Sequence, residues 1–510
     1  MMAEIKKLRY YAGGWKESKS GKYMDCYNPS TGEVIAHAPQ CSAAEVEEAI
    51  AAAKAAYPAW SATPAAQRVQ VLYRMKVLLD KHLDELTLIT STEHGKILEE
   101  AKGDVLRVTE LVEFACGAPH LLKGSASLNC TKGYDTSDYR ESMGVFAGIV
   151  PWNFPAMLPM GWVAPVCIAT GNTLVLKLAS FVPQSAIRIM ELWEEAGLPK
   201  GVINLVTCSR NEAEILLRHP DIKGVSFIGS TSIGLHIYKT ASENGKRVQA
   251  LTEAKNHGLV LRDAALERTA RGIMNSSFGS AGQRCMALPT IVVEEAVADQ
   301  LVAYLVKFIG ELKIGPGYEK DTKLGPVINA EHKKSIETWI QKGIDEGATL
   351  VVDGRNKVVK GYEKGFYLGP TLFDNVKPGM SIGDKEIFGP VLCIKRVKDF
   401  EEGLAIMNAN EFANGSCIFT QNGYYAREFA VRTHGGMVGV NVGIPVPHGT
   451  YSFTGHKNSF FGDLHMQGAD AVRFWTELKT VTIHWFSDEE AKSAKVDTWD
   501  GMLHMGDQKK

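Results

Sequence analysis

The chain has 510 residues, 45% of them apolar and 22% charged, with a formal net charge of −2. That length outgrows a single hydrophobic core, so two or three domains are expected of an ordinary globular protein, and disordered or fibrous classes are excluded by composition. The near-neutral charge gives no electrostatic reason to expect nucleic acid or an anionic membrane as partner, and apolar stretches are broken by Pro, Gly or Lys before they reach a membrane span.

Residues 8–40 alternate short strand-like runs with turns such as Asn28-Pro-Ser-Thr-Gly32, which predicts an antiparallel start. Ser42-Ala-Ala-Glu45 is a capping box and opens an Ala-rich helix to about Ala56. Helices follow to Lys123, among them one from about Leu98 to Ala115, and the polar run Tyr134–Arg140 predicts a hairpin leaving the main body. Between 143 and 260 four short apolar runs (145–150, 173–177, 202–206 and 225–228) each precede a helical pattern, as in a doubly wound α/β sheet. The alternation resumes from 262 to 440, and 440–465 is rich in Gly, Pro and aromatics, as loops over a site are. Nine scattered cysteines form neither a CxxC pair nor a Cys/His cluster, so no metal site and no disulfide framework is expected. The N-terminal residues show neither a secretory core nor an organelle leader, and a cytoplasmic setting is expected.

Chemistry is carried by five stretches. Phe278-Gly-Ser-Ala-Gly-Gln-Arg-Cys285 is a small-residue loop that leaves a sulfur room for a reactant; a nucleophilic Cys285 needs a setting that lowers its pKa, and a buried inert thiol is the plain alternative. Pro151-Trp152-Asn153-Phe154-Pro155 follows a strand, and its Asn amide either donates to a developing oxyanion or ties down its own turn. Gly229-Ser230-Thr231-Ser-Ile-Gly234 reads as a strand, a turn and a helix start able to hold a pyrophosphate, or as a plain βα turn. Lys177 ends its strand where ligands bind in open α/β sheets, though such a lysine is often merely solvated. Lys385-Glu386-Ile-Phe388-Gly-Pro places a carboxylate in a loop, facing ribose hydroxyls or water.

Together, in this order, these stretches resemble the aldehyde dehydrogenase superfamily, with similarity from about Tyr10 to Trp485. Ala254-Lys-Asn-His257 and Gly282-Gln-Arg-Cys-Met-Ala287 narrow the resemblance to its CoA-acylating methylmalonate (malonate) semialdehyde dehydrogenases. The resemblance implies a nucleotide-binding domain (1–124 and 143–260), a catalytic domain (261–445), a small β extension for oligomerisation (125–142 and 470–486), and a polar tail (487–510). It implies that Cys285 attacks an aldehyde while Asn153 steadies the oxyanion, that NAD(P) is the cofactor, and that CoA is the co-substrate. Cofactor contacts fall on Trp152, Lys177, Ser180, Gly229, Ser230, Gly234, Glu386 and Phe388. Phe154, Trp162 and Phe453 match positions lining a substrate tunnel, and Arg107 and Arg284 are the implied partners of an acidic aldehyde's carboxylate. For Arg107 the plain alternative is an ion pair with Asp104 or Glu110, one turn away. Strands that project from a domain expose unpaired edges, so a homodimer or homotetramer is expected.

Three departures shape the reading. In Leu251-Thr-Glu253-Ala-Lys255 the position of the hydrolytic relatives' general base holds Leu251, which cannot activate water and leaves a thioester for CoA; Glu253 is out of pattern and is a candidate relocated base. Ser180 is neutral, so charge does not select NAD over NADP. Leu178 replaces the usual Pro after Lys177, which affects the course of that turn. Against CoA acylation of a semialdehyde, with decarboxylation if the acid is malonate-like, stand a hydrolytic semialdehyde dehydrogenase giving the free acid and a cofactor-binding scaffold without chemistry.

Overall fold

The computed structural model describes residues 5–494. The four apolar runs lie side by side as parallel strands, joined by a fifth, because strands buried on both faces can be apolar throughout. Their spatial order is Arg247–Leu251, Ile222–Ile228, Val145–Ile149, Thr173–Lys177, Ile203–Val206. Chain order therefore reverses between Val145–Ile149 and Ile222–Ile228, and a crevice opens at the carboxyl ends of such a pair. The segments leaving those two ends begin with Val150 and Gly229. Antiparallel strands finish the sheet, Phe460–Gly462 on one edge and Tyr10–Tyr11 with Trp15–Lys16 on the other.

A second sheet of seven strands runs in the order Thr349–Val352, Thr371–Asp374, Val391–Val397, Thr290–Glu294, His257–Val260, Gly415–Phe419, Met437–Val440. All are parallel except the first. His257–Val260 sits inside this sheet, so the expected division at 260 falls too late. The chain leaves the first sheet at Leu251 and joins the second at His257. Gly258 makes that position tight: a Cβ there would lie 3.1–3.3 Å from Ile291, Leu288 and Phe419. The bridge between the sheets, residues 252–256, carries Glu253 and Lys255.

A separate antiparallel sheet holds Ala126–Thr131, Tyr134–Ser142 and Thr476–His484, the last paired from Thr476↔Ser142 to His484↔Tyr134. The segment from 470 does not begin as strand. Gly468–Phe474 is helical, because Phe474 and Trp475 pack their rings on Phe146 (5.8 and 4.8 Å) in the core of the first sheet. The Ser42–Glu45 capping box is formed, and its helix runs to Ala62 rather than Ala56. Buried Trp60, whose Nε1–H donates to the Ile168 carbonyl (2.9 Å), holds the last turn in place beyond Pro58. Of the polar tail, Glu490–Lys492 forms one short turn, and 495–510 lie outside the described residues. Among the described residues no helix is long and apolar enough to cross a membrane.

Candidate active site

Cys285 ends a turn with unusual backbone. After the helix Leu266–Phe278, Ser280 and Ala281 take left-handed conformations (φ 49° and 52°) and Gly282 follows at φ 73°. A Cβ on Gly282 would lie 2.1 Å from the Gly389 carbonyl oxygen, so glycine is required where this loop presses against the 386–390 loop. Polar groups secure the turn. Glu100 accepts from the Ser280 N–H (2.8 Å) and from Arg284 Nη2 (2.7 Å), while Asn256 Nδ2 donates to the carbonyls of Cys285 (2.9 Å) and Ala287 (2.7 Å). Gln283 crosses to the 326–329 segment, its Oε1 accepting from the Ile328 N–H (3.0 Å).

Asn153 is held from below. Lys96 and Asp104 form a fully buried ion pair (2.9 Å) beneath it. Lys96 Nζ also donates to the Asn153 carbonyl (2.9 Å) and sits 4.1 Å from the Phe154 ring centre. Asp104 accepts from the Met157 N–H (2.8 Å). Removing one member of such a pair strands a buried charge at a cost of about 3–5 kcal/mol, so the turn is rigidly placed. The Asn153 amide donates to the Gln283 carbonyl (3.3 Å), which brings it to the nucleophile loop. No local pattern marks Glu100 or Lys96, Asp104 enters the sequence reading only as an alternative partner of Arg107, and Asn256 only as part of Ala254–His257; their partners lie up to 184 residues away.

A cavity of about 1040 Å³ opens on Cys285 and is walled by Phe154, Trp162, Phe453, Arg107 and Arg284. Trp162 sits in the π-helical stretch Leu158–Val163, with its ring 4.6 Å from that of Phe453. Both arginines, the implied partners of a substrate carboxylate, are paired within the chain, and for Arg107 this is the ion pair weighed as its plain alternative. Arg107 Nη1 reaches both Glu110 oxygens (2.6 Å each) and its Nη2 donates to the Pro447 carbonyl (2.6 Å), while Arg284 binds Glu100. Asp104 is taken by Lys96, so Glu110 is the partner one turn away. Of the two settings weighed for the thiol, the raised one is present. Burial, with Glu386 adding to it, pushes Cys285 up to about 12, because the apolar walls outweigh nearby Arg284.

Across the crevice, the described groups suit a dinucleotide. Lys177, at the end of its strand, has an ammonium lowered by burial and without a protein partner among the described residues. Ser180 is buried on the same loop. Trp152 packs among Phe388 (5.5 Å), His332 (5.4 Å) and His94 (5.8 Å), and both ring nitrogens of buried His94 are unpartnered. Ser230 precedes the helix Thr231–Glu243 with its hydroxyl making no cap bond. Gly234 lets that helix close on the sheet, since a Cβ there would lie 2.3 Å from the Thr252 methyl. Glu386 accepts from the Ala254 N–H (3.0 Å), and burial pushes its carboxyl up to about 8. Phe388 adopts φ 62°, and its carbonyl is bound by His332 Nε2 (2.8 Å). Leu251 is buried in the apolar cluster on which Cys285 packs. Glu253 points elsewhere: its carboxylate accepts from the Thr231 N–H (3.1 Å).

The sequence model described as the aldehyde dehydrogenase family matches residues 15–481. Malonate-semialdehyde dehydrogenase 2 of Geobacillus kaustophilus is 46% identical over 486 residues, 95% of this chain and 100% of that protein. The malonate-semialdehyde dehydrogenase of Pseudomonas aeruginosa is 46% identical over 94% of this chain and 96% of its own. Among solved structures, the methylmalonate-semialdehyde dehydrogenase of Oceanimonas doudoroffii superposes with a TM-score of 0.93 at 43% identity, covering 95% of this chain and 99% of that one. A Sinorhizobium meliloti protein assigned as a methylmalonate-semialdehyde dehydrogenase, complexed with NAD, gives 0.93 at 42% identity with the same coverage.

Proposed function

This chain belongs to the aldehyde dehydrogenase family and is an enzyme of that kind, and from that premise we propose that it oxidises a small acidic semialdehyde, of the malonate or methylmalonate type, and delivers the acyl group to CoA. The observation that carries the reading is Cys285 on the wall of an apolar cavity with two arginines, beside a crevice where Lys177, without a protein partner among the described residues, and Ser230, whose hydroxyl makes no cap bond, suit a dinucleotide. NAD(P), when bound, supplies a hydride acceptor. Lys177, Ser180 and Ser230 would hold it, Trp152, Gly229 and Gly234 would shape its pyrophosphate cradle, and Glu386 and Phe388 would face the ribose nearest the reaction.

Cys285 gives its proton to solvent water and its sulfur adds to the aldehyde carbon, the C=O π electrons passing to the oxygen, which becomes an oxyanion. Asn153, released from the Gln283 carbonyl, and the Cys285 N–H would donate to that oxygen. Loss of hydride leaves a Cys285 thioester. For a malonate-type acid the C–C bond to the carboxylate then breaks, its electrons pass to the thioester carbonyl, CO2 leaves, and the α carbon takes a proton. Arg107 and Arg284 would bind the carboxylate before that step, each exchanging its glutamate partner for the substrate. Leu251 offers no base to activate water, which favours the thiol of CoA as acceptor.

A hydrolytic reading has one observation in its favour. The Glu386 carboxyl, with a pKa of about 8, lies within electrostatic reach of Cys285 and falls in the range of a general base. Glu253, bound at the start of the helix Thr231–Glu243, does not support it. The two readings separate by product: malonate and methylmalonate semialdehydes assayed with NAD and with NADP, with and without CoA, and the products identified by mass. Acyl-CoA formed only when CoA is present is expected; free acid formed equally fast without CoA would overturn the acylating reading.

A further inference from the structure

The helix Thr231–Glu243 begins at the crevice, with its first-turn N–H groups and the positive end of its dipole directed outward. One of those donors is already in use. Thr231 N–H gives its hydrogen bond to the carboxylate of Glu253, a residue of the bridge between the two sheets. The backbone that carries this carboxylate is anchored on both sides. The Glu253 carbonyl accepts from the Ser459 hydroxyl (2.7 Å), the preceding Thr252 N–H donates to the Ser459 carbonyl (3.0 Å), and the following Ala254 N–H donates to Glu386 (3.0 Å). Glu253 therefore reaches the helix from a fixed base, and only its side chain is free to leave. Gly229 N–H is also engaged, with the Leu251 carbonyl (3.0 Å), which leaves the helix end as the main donor set for an anion.

A pyrophosphate set on this helix would seek the same N–H that Glu253 holds, and at short range the two anions repel. They cannot share it. We propose that Glu253 is an intrachain competitor for the phosphates of the dinucleotide: it occupies the start of the helix when the cofactor is away, is displaced when the cofactor binds, and so weakens cofactor affinity and hastens cofactor release. The proposal rests on the assignment of this crevice to NAD(P). A site whose competent state is only partly populated binds with an affinity reduced by that fraction. For a carboxylate at a helix start the reduction is expected to be about tenfold.

The test is equilibrium binding to the full chain by isothermal titration calorimetry, with NAD and NADP as titrants, for the wild type, Glu253→Ala and Glu253→Gln. Glu253→Ala is expected to bind about tenfold more tightly, and Glu253→Gln, which keeps an oxygen for Thr231 but no charge, to fall between. Release of NADH in stopped flow is expected to slow in the same order. Equal dissociation constants for all three forms would overturn the inference and leave the assignment of the crevice standing. Absence of dinucleotide binding in all three would overturn the assignment, and the inference with it. Near-equal melting temperatures for Glu253→Gln and wild type would show that a change in affinity does not arise from misfolding.

Discussion

The Cys285 thiol is held in its protonated form by its surroundings. Burial is the largest cause, the Glu386 carboxylate adds to it, and the nearby backbone N–H groups and Arg284 oppose both without prevailing. Glu386 itself titrates near 8, so its effect on the sulfur is conditional on pH. Below that value the carboxyl is neutral and raises Cys285 little; above it the anion works against forming a second negative charge close by. Iodoacetamide alkylation of the cofactor-free enzyme, followed by mass at Cys285, is expected to quicken about tenfold per unit from about pH 6 to about pH 8, as the thiolate fraction rises. The slope should then flatten. In Glu386→Gln the rate should match the wild type at about pH 6 and exceed it above about pH 8, with no flattening. A faster rate in the variant at every pH would mean that Glu386 acts through packing rather than charge.

At the scale of elements, the nucleophile loop and the 386–390 loop are built against each other, and Gly282 is the point of contact. An alanine there would need a left-handed backbone and would set its Cβ against the Gly389 carbonyl, so one of the two loops must move. A displacement of about 1 Å between reacting groups can cost about 100-fold in rate. Gly282→Ala is therefore expected to lower the melting temperature and reduce aldehyde oxidation at least about tenfold. Gly272→Ala, inside the helix Leu266–Phe278 with open space where the Cβ would go, should leave both unchanged or add slightly to stability. This scale also separates what the sequence reveals from what it conceals. Pro151-Trp-Asn-Phe-Pro155, Gly229–Gly234 and Gln283-Arg-Cys285 are legible because each is a local solution to a local demand: a turn, a helix start, a small-residue loop. The pairing of Arg284 with Glu100, the Lys96–Asp104 pair under Asn153 and the Asn256 clamp on Cys285 were not legible. They are meetings of distant segments, fixed by how two sheets dock rather than by spacing along the chain. The boundary between the sheets was misplaced for a related reason. His257-Gly-Leu-Val260 is short and begins with a polar residue, so it carries no marked strand pattern of its own, and only its neighbours assign it to the second sheet.

For the whole molecule, the decisive feature is the sheet formed by Ala126–Thr131, Tyr134–Ser142 and Thr476–His484. Its two outer strands are exposed along most of their length, with Tyr134–Ser142 half-buried between them, and apolar side chains stand out on and beside it: Leu128 is 79% exposed, Leu478 54%, Trp485 61% and Phe486 68%. Three strands with open edges and uncovered apolar groups invite pairing with another chain, and soluble proteins usually cover or charge such edges. Charge is present here, as in the Lys479–Glu141 pair, but it does not cover the apolar positions. The expected cover is a second copy of this chain, so light scattering at micromolar concentration should give a mass of about two or four times that of the 55.7 kDa chain. Leu478→Asp should shift that mass toward a single chain while leaving Cys285 open to alkylation, because Leu478 is exposed on the outer sheet and does not line the cavity. In hydrogen exchange the amides of Ala126–Thr131, an edge strand with no partner strand on its outer side among the described residues, should be slow in the wild type and fast in Leu478→Asp. A wild-type mass of 55.7 kDa with fast exchange along that strand would show that the edge stays open and that the enzyme works as a single chain.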